Sequence, residues 1–126
     1  MLVNIRPDGI IETSVPADWD QPDTVEVALE NIELLQRAVA GAPRAILSHV
    51  PNMHMSKEVM ECYEKATIGH VANALLTNSF TAKIMGNLFL RVSKALPTKQ
   101  PSVPTKLFSK KEEAEAWLLD QIARHN

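Results

Sequence analysis

Apolar positions along this chain fall into short runs bounded by turn chemistry and longer stretches at helical spacing. Leu2, Val3 and Ile5 lead into Arg6-Pro7-Asp8-Gly9, and Ile10, Ile11 and Val15 follow. Proline presets φ and glycine accepts positive φ, so Pro-Asp-Gly predicts a turn. The β-branched residues on both sides predict a hairpin. Pro16 to Pro22, with Trp19 in it, reads as a loop. A helix is then expected from Asp23-Thr24 to Gly41. Ala28, Ile32, Leu35 and Val39 recur at helical spacing, and Val25, Leu29 and Leu34 widen the stripe. Asp23 with Glu26 matches a capping box, Gly41 fits the position after the helix, and Pro43 blocks continuation.

Ala45 to Val50 is short, apolar and stopped by Pro51, which predicts a buried strand. Ser56 fits the N-cap of a second helix running to about Thr67 and ended by Gly69, with Met55 and Met60 placed as a hydrophobic staple. His70 to Thr77 reads as a strand, although its alanines also suit a helix. Asn78 or Ser79 caps a third helix from Phe80 to about Ser93. Phe80, Ile84, Leu88 and Val92 form one row there, with Met85 and Phe89 beside it. The segment from residue 95 to 104 is a proline-rich loop inside the domain, not a boundary. Pro104 to Phe108 follows as a short strand. Ser109-Lys110-Lys111-Glu112 reads as a capping box, and Ala114, Trp117, Leu118 and Gln121 or Ile122 mark the core face of a last helix. The expectation is one α/β domain over residues 1–126, in the order β-β-α-β-α-β-α-β-α. Strands joined through helices favour parallel pairing, while the hairpin adds an antiparallel pair, so the sheet should be mixed.

Composition narrows the function classes. A chain of 126 residues can bury one real core. The net charge of −2 leaves no basic footprint for nucleic acid. The lone Cys62 rules out an internal disulfide. The first eleven residues lack the basic and apolar regions of a signal peptide. The stretch from Ile84 to Val92 is broken by Gly86, Asn87 and Arg91 and is too short to span a bilayer. A cytoplasmic location is expected, with no transmembrane segment.

Three local stretches resemble a known family. Residues 82–91 (AKIMGNLFLR) are similar to the third-helix segment of SpoIIAA-like proteins. Pro104-Thr105-Lys106-Leu107-Phe108 looks like their last strand, and Glu112-Glu113-Ala114-Glu115-Ala116-Trp117-Leu118 like the helix after it. That group has the STAS fold and is often grouped with Sec14-like lipid carriers. The similarity is closest over residues 70–122. It implies a mixed sheet of about five strands flanked by helices. It also implies a non-catalytic binding or regulatory module acting through protein–protein contacts in bacterial regulation. The alternative it implies is a carrier or sensor of an apolar small molecule or lipid. The anti-sigma-factor antagonists carry a phosphorylatable serine at the start of the second helix, after Asp-x-Ser-Gly. Ser56, in Asn52-Met53-His54-Met55-Ser56, stands at about that place without the aspartate or the glycine.

The candidate residues follow from both readings. Ser56 is a site for phosphorylation or an anion, or a plain helix cap. Met53-His54-Met55 offers soft side chains around one histidine, which suits a soft metal or apolar ligand site or, more simply, a loop anchored by methionines. Gly86 sits inside the third helix, where glycine costs about 1 kcal/mol against alanine. Such a glycine admits a close neighbour, either another backbone or a ligand. Met85, Gly86 and Phe89, with His54 and Met55, are thus candidates for a ligand or partner surface. The over-apolar third helix is core, pocket or interface, and self-association into a homodimer through it is one expectation. Glu61 with Glu64 and Glu112 with Glu115 pair on helix faces, and Cys62 reads as a packed thiol. No nucleophile elbow stands among the Ser, His and Asp residues. No catalytic residue, metal ligand or cofactor is assigned.

Overall fold

The structure is a computed structural model. It describes residues 1–16, 18–19, 21–51, 53–95 and 103–125. Asn52 and residues 96–102 of the expected proline-rich loop lie outside the described residues, as does the side chain of Val92. The elements are β1 (Leu2–Ile5), β2 (Ile10–Ser14), α1 (Val25–Val39), β3 (Ala45–His49), α2 (Lys57–Lys65), β4 (Asn73–Leu76), α3 (Phe80–Ala95), β5 (Thr105–Phe108) and α4 (Lys111–Ala123). The expected α/β order holds throughout.

The five strands form one mixed sheet in the spatial order β1-β2-β3-β4-β5. β1 and β2 pair antiparallel, and the other neighbours pair parallel. The hairpin turn works as its residues predict. Gly9 takes φ +95°, and the Asp8 carboxylate accepts the Ile10 N–H at 3.1 Å. Each later crossover steps one strand in the same direction, so crossovers of one hand lay their helices on one face. α1 packs on Ile11 and Ile46, and α2 packs between α1 and α3. α4 returns beneath the opposite face, where Ala114, Leu118 and Ile122 meet Ile10, Ala45, Leu47 and Ala74.

Several local expectations need correction. The α1 cap is Thr24, whose hydroxyl accepts the Val27 N–H at 3.2 Å. Asp23 instead accepts a hydrogen bond from the Tyr63 hydroxyl, so the box with Glu26 does not form. α2 stops at Lys65, two residues before Thr67, because Ala66 is already extended; Gly69, with φ +90°, lies in the loop beyond. β4 is shorter than His70–Thr77 and is a strand, not a helix. α3 runs on to Ala95. Ser109 does not cap α4: its N-cap is Lys110, and no side chain closes that end. At the end of α1, Ala40 and Gly41 both take positive φ, and the Arg44 guanidinium donates to the Ala38 carbonyl.

Candidate functional site

The polar pattern of the strands sets up the site. Successive strand residues face opposite sides of a sheet. Ala45 and Leu47 point to α4, so Ile46 and Ser48 point to the three-helix face. By the same alternation Thr13, Asn73, Leu75 and Thr105 share that face. In register, Thr13 pairs with Ser48, and Asn73 pairs with Thr105. The Ser48 hydroxyl donates to Asn73 Oδ1 at 3.0 Å and ties the two pairs together. A polar band therefore crosses four strands on a face covered by helices.

Above the band the helices do not close down completely. α1 and α3 pack at the two flanks, and α2 rests chiefly on them rather than on a strand. The described residues leave a partly open cavity of about 470 Å³ between α2 and the sheet. Its floor includes Ser48, Asn73 and Thr105, and its helical walls include Met60, Tyr63, Met85 and Phe89. Met53 and Met55 follow β3 and lie at the C-terminal end of the parallel strands. His70 precedes β4 and lies at the other end. The Met55 N–H donates to Met85 Sδ at 3.4 Å, which holds the loop before α2 onto α3.

Two lining residues, Tyr63 and His70, have distinctive chemistry. The Tyr63 hydroxyl accepts from Asn31 Nδ2 at 2.9 Å and donates to Asp23 Oδ2 at 3.3 Å. Burial pushes its pKa up to about 12, with the Asp23 charge adding to the rise. His70 has Nδ1 sealed from solvent with no hydrogen-bond partner among the described residues. Burial lowers this imidazole to about 4, so the ring is neutral at physiological pH. A buried polar atom without a partner is rare and calls for an explanation.

The other face carries a charge cluster of a different kind. Glu12 meets His49 at 2.5 Å and Lys111 at 3.2 Å, and Arg6 meets Glu115 at 2.5 Å and Asp8 at 2.8 Å. Burial alone would raise the Glu12 carboxyl, but hydrogen bonds from His49 and Lys111 outweigh it and hold the carboxyl below its usual value. The hydrogen bond to Glu115, against burial, raises Arg6. These pairs clasp the start of α4 to the sheet.

The sequence candidates divide clearly. Met55, Met85, Gly86 and Phe89 come together on the cavity wall. Gly86 admits a close neighbour, but it is the Leu107 side chain of β5 rather than another backbone or a ligand. His54 and Ser56 are exposed and do not line the cavity. The Ser56 hydroxyl accepts the Val59 N–H at 3.3 Å as a helix cap. The α3 row of Phe80 and Ile84 points outward, with Phe80 80% exposed, while Ala82, Met85 and Gly86 turn inward. Missed were Ser48, Asn73, Thr105, Tyr63 and His70. The first three carried a signal, as polar residues at inward positions of strands in a covered sheet.

No helix among the described residues is long and apolar enough to cross a membrane. Comparison with curated proteins and with solved structures gives no significant match. The family model of a domain of unknown function, DUF7793, matches residues 8–122. That span runs from the hairpin turn through β2 to all but the last residue of α4, and the chain belongs to the DUF7793 family.

Proposed function

We propose that this chain is a binding module that holds a small, largely apolar molecule between its sheet and its three-helix layer. The observation that carries the reading is the cavity of about 470 Å³, within the ~300–1,000 Å³ usual for small-molecule sites. Met53, Met55, Met60, Met85 and Phe89 give it apolar wall surface, and polar groups of the sheet floor project into it, a mixture that such sites have. The resemblance of the last third of the sequence to SpoIIAA-like proteins, a group often placed with Sec14-like lipid carriers, supports the same direction. Native mass spectrometry of gently purified protein tests it. A bound small-molecule mass that denaturation releases is expected. Protein that carries no such mass, and takes up no apolar alcohol, acid or ether when offered one, overturns it.

A second reading rests on a different observation. Phe80 and Ile84 present apolar surface on the outer side of α3, which fits regulatory protein–protein contact of the kind the STAS-like resemblance implies. Phe80→Asp abolishing capture of a protein partner, with the cavity ligand retained, would favour that reading.

A further inference from the structure

The floor of the cavity has a specific donor and acceptor inventory. Asn73 Oδ1 is occupied by the Ser48 hydroxyl, which leaves its Nδ2 protons to donate, with no partner among the described residues. Thr105 donates its hydroxyl proton to the Val103 carbonyl at 3.0 Å, so its remaining capacity is to accept. Asn73 and Thr105 are register partners, so these two functions sit side by side. His70 lines the same end of the cavity, although its Nδ1 is sealed from the open space.

A ligand group that satisfies this end must accept from Asn73 and donate to Thr105. A hydroxyl does both from one oxygen. An ionised carboxylate only accepts, and the nearest cation lining the cavity there, Lys65, is exposed. An ammonium only donates. A hydrocarbon leaves every one of these groups unpaired. The neutral state of the buried His70 ring agrees with an uncharged head group. At the opposite end Met53, Met55, Met60 and Met85 offer an adaptable apolar lining. The cavity of about 470 Å³ has room for roughly 15 water molecules, and so for a comparable number of non-hydrogen atoms.

We propose that the ligand is an apolar molecule of that size bearing one hydroxyl, seated with its hydroxyl on Asn73 and Thr105 and its body among the methionines. This deepens the binding reading and rests on it. Three probes separate the two claims by calorimetry near neutral pH: 1-decanol, its isomer nonyl methyl ether, which accepts but cannot donate, and decanoate, which is ionised. Decanol should bind at least about tenfold more tightly than either, because a site built for a hydroxyl discriminates against analogues lacking it. Asn73→Leu and Thr105→Val should each shrink that preference while still binding the ether. Met85→Trp should block all three probes. Equal affinity for the ether or for decanoate overturns the hydroxyl assignment and leaves the binding reading standing. Binding of decanol unchanged in Met85→Trp places the site elsewhere and overturns the assignment. Failure of all three probes on the unaltered protein overturns the binding reading itself.

Discussion

Strand β3 lies between two surfaces of opposite character. Its Ala45 and Leu47 face α4, and its Ile46 and Ser48 face the cavity. On the α4 side the small residues Ala45, Ala72 and Ala74 let the helix approach, and Leu118 fills the space completely, with 0% exposure. On the other side Ser48 and Asn73 stand where a doubly covered parallel sheet normally carries aliphatic residues. Buried hydroxyl and amide groups contribute little net stability even when bonded, and cost stability when they are not. One face therefore holds the fold together, and the other gives up packing to keep a chemically specific surface.

The largest test of this contrast compares substitutions on the two faces. Leu118→Ala removes a fully buried side chain from the dry face and should cost about 2–5 kcal/mol in urea unfolding. Asn73→Leu on the cavity face trades polar for apolar atoms beside open space but leaves the Ser48 hydroxyl without its partner, so stability should stay within about 1 kcal/mol of the original. A loss from Asn73→Leu as large as that from Leu118→Ala would break the contrast.

The pH dependence sharpens it next. Burial holds His70 in its neutral form, lowering it from 6.5 to about 4. The unfolded chain takes up the proton first. His70 thus contributes its full stability above pH 6.5, and that contribution is lost as pH falls from 6.5 toward 4. The whole effect is at most about 3 kcal/mol. His70→Asn should flatten stability across this window. Glu12 belongs to the clasp on the α4 face and acts lower in pH. Its carboxyl is held below the ordinary 4.5, so its contribution is present above 4.5 and is lost as pH falls through the folded value. Glu12→Gln should leave the His70 window intact and change only the acid limb. Urea midpoints against pH check both, and a His70→Asn protein with the original slope between pH 6.5 and 4 would remove the buried neutral imidazole from the account.

Element order was legible because each element carries its own signal. Pro7-Asp8-Gly9 marks the hairpin, Ala28, Ile32 and Leu35 mark α1, and Pro43 and Pro51 bracket β3. Caps were less legible, since Asp23 and Thr24 are both good cap residues and only tertiary contact chooses between them. Asp23 goes to Tyr63, forty residues away. The site was half legible. Met55, Met85, Gly86 and Phe89 stood out by composition, but the polar floor did not, because each strand contributes a single inward polar residue or two. Ser48 and Asn73 become neighbours only once β3 and β4 pair. His54 drew attention as the histidine between two methionines, yet the methionines turn inward and it stays exposed.

The smallest expected effect is at Gly86, where the two faces' logic meets inside one helix. Alanine would gain about 1 kcal/mol of helix propensity. Its Cβ would stand 2.6 Å from Leu107 Cδ1 and 3.5 Å from Thr77 Cγ2. The first contact is too close, but Cδ1 is the free end of a half-buried side chain and can turn. The gain and the rearrangement offset each other, so Gly86→Ala should stay within about 1 kcal/mol of the original stability. Gly86 itself lines the cavity, so the added methyl should narrow it and decanol should bind more weakly. Gly86→Val adds two further carbons that cannot be absorbed in this way and should cost about 1–3 kcal/mol. Stability lost in Gly86→Ala as in Gly86→Val would mean that this wall is packed as tightly as the α4 face, and that the glycine serves helix-to-strand approach alone.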